Sequence, residues 1–510
     1  MPDDIEALLK TSGHYPDEDP LSILPYLIPC SKPSAKSLIA LIGECGSPKE
    51  IVIAVQECLE RVEIALSRDM DEEEEKDDDD DTNASPADQL ISLIILYSAA
   101  IPRLKLRKKS SSETIRPLLS QIASVVNLAG PLLSRDQGRE IICNVSRLSL
   151  NVLSWAMDGP DLASCQDVLW SLLDTAVSAC SHCIQSSLAQ RSFEELFPRL
   201  TIRSTVAPGW EGGANAVKEA LAVYSALGRN FELNSLSPFP STTYLILFSH
   251  YKLLPSDISR LLSYMLPILV ASIQANSAMD ETLSLLLQSL HPQHFPVGQQ
   301  LSPDISGPLC ALLPALASAH PDGDIRHQAF RILSRVLVLT PPELRLQILK
   351  DLTIDTDFPQ MRVAAVGLVK EAVLEALGRK TPCIFASPVF FQVFGPILFR
   401  PDPVDLFHME LALDDIRDSS EPSRLVESLS LYYILLIRDK SNRTGIRDGD
   451  QLSNVEKILL APMRSTLSQW MNDPEISIGH MHAIMPLVSL KTGLERVDAA
   501  VAELRPTPNG

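Results

Sequence analysis

The apolar residues of this chain recur with a helical period along almost its whole length. In IVIAVQECLERVEIALS, residues 51–67, they fall at positions i, i+3, i+4 and i+7, which places them on one face of a helix. Runs of this kind are mostly 12–25 residues long and are separated by short breaks rich in Pro, Gly, Asp and Ser. Alternation with a period of two, typical of a half-buried strand, is scarce. The pattern predicts an all-α protein.

Many of the predicted helices are apolar over more than one stripe, and one internal repeat is plain. The segment DIRHQAF, which starts at residue 324, is followed 36 residues later by QMRVAAV. Arg326 then aligns with Arg362 and Ala329 with Ala365, in a pattern that resembles the second helix of a HEAT repeat. Alanine allows close helix approach, and we expect the arginine to reach acceptors in the neighbouring repeat. The sequence therefore predicts a HEAT/armadillo-like α-solenoid of stacked helical hairpins.

Three segments interrupt the helical pattern and set the predicted boundaries. The tract at 69–84 is strongly acidic, 200–213 is rich in Gly and polar residues, and 379–407 holds six of the 14 Phe among prolines. The last segment is interpreted as irregular chain tucked over the core, with a hydrophobic partner-binding surface as the alternative. The predicted organisation is N-terminal helical repeats at 1–68, an acidic disordered loop at 69–84, helical repeats at 85–199, an irregular linker at 200–213, HEAT-like repeats at 214–378 with their clearest pair at 324–377, the irregular segment at 379–407, a C-terminal helical block at 408–500 and a flexible tail at 501–510.

The net charge of the chain limits the classes of partner that it is expected to bind. The formal net charge is −20, and residues 71–81 alone (DEEEEKDDDDD) carry ten acids and one lysine. So acidic a surface repels phosphate backbones, which argues against a nucleic-acid partner and favours proteins with a basic surface. The longest apolar stretches run about 13 residues, short of the roughly 20 that span a bilayer, so no membrane role is expected.

The nine cysteines are odd in number and widely spaced, which indicates reduced thiols inside the cell rather than a disulfide framework. The start MPDDIEALLK lacks the layout of a signal peptide. The expected location is the cytoplasm, with the nucleus as a second compartment. The basic run 103–109 is interpreted as an exposed loop that faces the acidic tract, and the alternative for that run is a nuclear-import or phospho-regulated element.

No catalytic motif stands out. Walker A loops, GxGxxG, GxSxG, HExxH and kinase signatures are all missing from the sequence. Cys180 and Cys183 flank His182, but no second pair of ligands accompanies them, so helix packing is preferred to a zinc site. We therefore expect no enzyme activity, no metal and no cofactor.

The C-terminal block carries a family resemblance. The segments YYILLIRDKSNRTGI (432–446) and VEKILLAPMRSTL (455–467) are similar to a block of the Yap-binding, glomulin and plant aberrant-lateral-root-formation family. The resemblance implies HEAT-like repeats and an adaptor or inhibitor without catalysis. Glomulin caps the RING subunit of cullin-RING ubiquitin ligases, whereas fungal members bind a stress-responsive bZIP transcription factor in the oxidative-stress response or, in a paralogue, work at kinetochores.

These implications give a site and two competing functions. If the chain masks a RING, the candidate residues lie in the basic turn and the helix after it; packing of a buried turn is the competing explanation for the block. The predicted partner-binding residues are Arg438, Lys440, Asn442, Arg443, Arg447, Lys457 and Arg464. The alternative function is a general HEAT-repeat scaffold in transport or in kinetochore and complex assembly.

Overall fold

The fold is described from a computed structural model. It describes residues 19–71, 83–106, 109–157, 159–201, 203–229, 239–251, 254–295, 298–355, 357–379, 381–407, 419–471 and 481–504. Within these ranges the regular secondary structure is helical apart from one isolated antiparallel bridge between Cys30 and Asn83, so the all-α prediction is confirmed. The chain forms two compact units, 1–289 and 290–510.

The first unit contains thirteen described α-helices. They are α1 Pro20–Leu27, α2 Pro33–Cys45, α3 Pro48–Asp71, α4 Pro86–Ala100, α5 Ser111–Ala129, α6 Arg135–Ala156, α7 Leu162–Ala179, α8 Ser181–Ile184, α9 Leu188–Leu196, α10 Trp210–Ala226, α11 Thr242–His250, α12 Ile258–Ala275 and α13 Met279–Ser289. Short 3-10 turns follow α4 and α5 at Ile101–Arg103 and Gly130–Leu132.

The first unit is a stack of two helix rows. Helices α1, α3, α5 and α7 pack in one row, and α2, α4, α6 and α10 pack in the other. Ser85 Oγ accepts the amide of Asp88 at 3.1 Å and so starts α4 as the sequence predicts, while Ser110 and Ser134 form complete capping boxes for α5 and α6. The two rows bury a continuous apolar core between them, as expected of helical repeats.

The second unit contains the remaining described helices. They are α14 Pro303–Ala319, α15 Gly323–Leu339, α16 Pro342–Ile354, α17 Pro359–Gly378, α18 Pro388–Leu398, α19 Glu421–Arg438, α20 Gly449–Val455, α21 Ala461–Met471 and α22 Met481–Leu504, with 3-10 turns at Pro292–His294 and Ile384–Ala386 and a π-helical turn at Glu456–Leu460.

The predicted repeat pair is present as two helical hairpins, α14–α15 and α16–α17. Ala329 on α15 and Ala365 on α17 are both 0% exposed, so the aligned alanines allow close packing as predicted. Of the aligned arginines, Arg326 differs from expectation and Arg362 meets it in part. Arg326 donates to the carbonyls of His320 and Pro321 in the turn of its own hairpin, at 2.5 and 2.9 Å, because the carbonyls that end α14 lie within one turn of it. Arg362 likewise bonds Thr353 O at 3.2 Å, and it also reaches Asp402 at 2.7 Å.

The three interrupting segments fare differently. Helix α3 continues to Asp71, and residues 72–82 of the acidic tract lie outside the described residues. The linker at 200–213 ends at Gly209, whose φ of +75° precedes the first turn of α10. The segment 379–407 is wrong as wholly irregular chain, because Pro388 stands at the first position of α18 and starts a helix rather than breaking one. Its six Phe are all buried, which supports packing over the core rather than a partner surface.

One helix, α12, is long and apolar enough to cross a membrane by length and composition alone, with a mean hydropathy of 1.4 over 18 residues. It packs against α11 and α13 in the first unit, and it buries Leu261, Leu262, Met265 and Leu269 there. This burial fits a core helix of the stack.

Candidate functional site

The basic turn that follows α19 is organised by a buried carboxylate. Asp439 is 1% exposed, and its two oxygens accept the amides of Arg443 and Thr444, each at 2.8 Å, and the Thr444 hydroxyl at 2.7 Å. Asn442 and Gly445 take left-handed φ values of +52° and +77°, which close the turn. A short segment rich in cations is thereby held in one conformation.

Two of the predicted binding residues stabilise this turn. Arg447 donates from its guanidinium to the carbonyl of Leu436 and, at 3.4 Å, to that of Lys440, so it satisfies carbonyl groups at the C-terminal end of α19. Asn442 donates to Asp448 at 2.7 Å and accepts the Arg447 amide at 2.9 Å. The side chains of Arg447 and Asn442 therefore stabilise the conformation of the turn.

Arg443 connects the turn to the preceding repeats. Its guanidinium donates to the carbonyls of Arg379, at 3.2 Å, and Leu377, at 3.5 Å, beside the end of α17. Arg438 and Lys440 differ from it, because both are exposed and neither side chain has a hydrogen bond or ion pair within the part of the chain that the structure describes. They are the members of the turn that remain available to a partner.

The last two predicted residues lie beyond the turn. Lys457 is exposed within the π-helical turn. Arg464 on α21 pairs with Asp498 of α22 through two bonds of 2.7 and 3.2 Å and with Glu456 at 3.0 Å, and the bond to Asp498 is the main reason that the pKa of Arg464 is raised. Arg464 thus fixes α21 against α22. The predicted set divides into exposed cations (Arg438, Lys440, Lys457) and residues that hold the fold (Asn442, Arg443, Arg447, Arg464).

Sequence reasoning missed a group of arginines at the end of α17. Glu375 accepts Arg345 at 2.9 Å and Arg379 at 2.5 Å, and it opposes the lowering of the Arg335 pKa that burial causes. These residues come from α15, α16 and the end of α17, so no single motif contains them. The signal that was available is the spacing of His327, Arg331 and Arg335 on α15 at i, i+4 and i+8.

Five of the nine cysteines (Cys58, Cys165, Cys180, Cys183 and Cys310) are buried core side chains. Burial raises the pKa of the thiols of Cys180 and Cys183 and raises that of Cys58 to about 11, which disfavours the reactive thiolate. Across the described ranges, no group of three or more His, Cys, Asp or Glu is placed to hold a metal ion.

The hairpins of α14–α17 and the helices stacked after them define a HEAT-type helical-repeat protein. Residues 245–496 match a family model described as "Uncharacterised protein family, YAP/Alf4/glomulin". The matched region therefore belongs to the YAP/Alf4/glomulin family, and the resemblance drawn from the C-terminal block is confirmed. A search of curated proteins found no match.

Proposed function

We propose that this chain is a non-catalytic protein-binding regulator that acts through its C-terminal helical block, and that it masks the RING subunit of a cullin-RING ubiquitin ligase. The observation that supports the proposal is the state of Arg438 and Lys440. Both are exposed without a protein partner among the described residues, on a turn that Asp439 holds rigid. Membership of the YAP/Alf4/glomulin family adds support for the adaptor class.

In this proposal the turn and the π-helical turn at Glu456–Leu460 present their cations together to the RING. Arg438, Lys440 and Lys457 would contact it, while Arg443, Arg447 and Arg464 keep the presenting elements in place. A single helical surface that covers the RING excludes the ubiquitin-conjugating enzyme by occupying its docking face. Exclusion of this kind needs no catalytic group on the chain.

The test is direct binding of the purified chain to a purified cullin–RING subcomplex by calorimetry, with ubiquitin discharge from the conjugating enzyme as a second readout. We expect the double variant Arg438→Glu and Lys440→Glu to weaken binding at least tenfold and to restore discharge. Lys36 and Lys218 are exposed lysines in the first unit, and their double glutamate variant is the matched control. Absence of binding by the unaltered chain would refute the RING proposal.

A second candidate partner is a stress-responsive bZIP transcription factor, as the family resemblance implies. The observation that favours it is the net charge of −20, which suits the basic region of such a factor. The same calorimeter titration with a purified bZIP domain separates the two. The general scaffold function would be favoured if neither protein binds and the chain instead joins a large assembly.

We also propose a cytoplasmic location with access to the nucleus. Imaging of a fluorescently tagged chain tests this placement. Substitution of Lys105 and Lys109 by Ala, outside the carbonyl contacts of Arg103, tests whether the basic run directs nuclear entry. Unchanged nuclear signal in that variant would remove the import role of the run.

A further inference from the structure

Glu375 on α17 pairs with two arginines from different elements. Its two oxygens accept Arg345 Nη1 at 2.9 Å and Arg379 Nη2 at 2.5 Å. The Arg345 side chain is 9% exposed and its guanidinium carbon lies 5.5 Å from the centroid of the Phe385 ring. Its Nε is buried with no hydrogen-bond acceptor among the described residues. Arg345 is therefore only partly satisfied by the protein.

Arg335 is a second arginine whose Nε has no acceptor among the described residues; it follows Ser334, which donates to Glu371 on α17 at 3.3 Å, one turn before Glu375. Arg335 is half-buried and forms no ion pair within the described chain. Arg331, one turn earlier on α15, also has a buried Nε without an acceptor. Like charges at i, i+4 destabilise a helix rather than support it. The stability of α15 therefore gives no reason for this placement.

Arg443 brings a fourth guanidinium to this place from the turn after α19. It bonds the carbonyl of Arg379, the residue that pairs with Glu375. We call Arg335, Arg345, Arg379 and Arg443 the arginine cluster. Arg345 and Arg379 pair with Glu375, Arg443 bonds the backbone carbonyl of Arg379, and Arg335 has no ion pair among the described residues, on a chain whose net charge is −20.

A contrast within the same unit shows how a buried arginine is normally satisfied. Arg424 on α19 is 1% exposed, and it pairs with Glu421 through bonds of 2.7 and 2.5 Å. It also donates to the carbonyls of Ile397 and Arg400 at 3.0 and 2.7 Å. Half-buried cations without such partners carry an uncompensated desolvation cost, which an incoming anion would remove.

We propose that the arginine cluster is the docking site for an acidic segment of a partner protein, a segment that presents two or more Asp or Glu side chains. Guanidinium groups match carboxylates in a two-bond geometry, and the partly desolvated positions of Arg335 and Arg345 strengthen each bond. The inference rests on the proposed protein-binding function and specifies the chemistry of one contact. The partner would then carry an acidic segment for the arginine cluster in addition to the expected basic surface.

The probe for this site is a fluorescein-labelled peptide of twelve residues with six Glu among Ser and Gly, titrated with the full chain and followed by anisotropy at low salt. The chain lacking residues 72–82 is titrated in parallel, so that its own acidic run does not compete with the probe. The test variant is Arg335→Gln with Arg379→Gln, which spares the buried Arg345. The control variant is Lys36→Gln with Lys218→Gln, and the melting temperature of each variant verifies folding.

We expect the test variant to weaken peptide binding at least fivefold while the control binds as the unaltered chain does. Equal binding by both variants, or no binding by either form of the unaltered chain, overturns the proposal. Displacement of the probe by inorganic phosphate or single-stranded RNA at lower concentration than by unlabelled peptide also overturns it, since the site would then favour phosphate. RING binding uses Arg438 and Lys440, so its survival in the test variant separates failure of this inference from failure of the proposed function.

Discussion

Arg139 in the first unit and Arg335 in the second unit are arginines with opposite hydrogen-bonding states. In the first unit, Arg139 on α6 is 8% exposed, and its guanidinium donates to the carbonyls of Cys183, Ile184, Gln185 and Gly209 at 2.7–3.2 Å. In the second unit, Arg335 is half-buried, and its Nε has no hydrogen-bond acceptor among the described residues. The two arginines therefore differ in role. Arg139 donates to backbone carbonyls of its own unit, and Arg335 is available to the acidic segment proposed above.

The largest effect expected from this comparison is on Arg139. Substitution by Ala leaves the carbonyls after α8 and at Gly209 without their charged donor, and we expect a loss of about 3 kcal/mol of unfolding free energy, since each bond to a charged group contributes roughly 1.5–3 kcal/mol. Urea denaturation followed by circular dichroism measures the change. Arg135→Ala is the control, because that side chain is 44% exposed; equal losses in the two variants would contradict the assigned role of Arg139.

The repeat interface of the second unit should show the next largest effect. Ala329 and Ala365 are fully buried between helices, so replacement of either by Leu should overpack the interface and cost about 1–3 kcal/mol. Ala311 on α14 is exposed and gives the matched control for the same substitution. Thermal and urea unfolding report the loss, and unchanged stability in both core variants would contradict close packing at the aligned alanines.

Arg335 should respond with the opposite sign to Arg139. Its replacement by Gln removes a half-buried charge that has no acceptor, so we expect stability to stay level or rise by up to about 1 kcal/mol. The same urea experiment measures it. A loss of unfolding free energy comparable to that of Arg139→Ala would mean that Arg335 stabilises the fold, and it would contradict the difference in role between Arg139 and Arg335.

The smallest effect concerns acid stability in the first unit. Asp161 accepts the Ser112 amide at 2.7 Å, and its bonds to Ser112 lower the pKa of the carboxyl from 3.8 to about 2. A depressed carboxyl pKa contributes stability above the unfolded value and loses it as the pH falls. We expect about 1 kcal/mol to disappear between pH 4 and pH 2, and Asp161→Asn to lose this dependence. Asp167→Asn, at an exposed position on α7, should keep it.

The sequence predicted the helical class and the repeat pair because both depend on local periodicity. The spacing of Ala329 and Ala365 directly reports a buried helix face, and it was confirmed. The start of α18 was missed because the whole Phe- and Pro-rich segment 379–407 was predicted as irregular, although proline suits the first turn of a helix. The basic turn was found because its cations, Arg438, Lys440, Arg443 and Arg447, lie within ten residues of sequence.

The arginine cluster was not predictable in the same way. Arg335, Arg345 and Arg379 are spread over three elements, and only the packing of α15, α16 and α17 brings them to Glu375. Sequence reasoning also could not separate the roles within the predicted set. Arg447 and Lys440 are both basic residues of the same turn in the sequence. In the structure Arg447 donates to backbone carbonyls, whereas the Lys440 side chain is exposed.

The buried carboxylate of Asp439 has a consequence for how fast and how tightly the basic turn can associate. Because the amides of Arg443 and Thr444 are already bonded to it, the turn keeps one backbone conformation before any encounter. Ordering a free loop costs roughly 1–2 kcal/mol per residue, and a preorganised turn avoids that entropy at the moment of binding. A few exposed cations on it can then give useful affinity, with an association rate set by electrostatic steering rather than by folding of the loop.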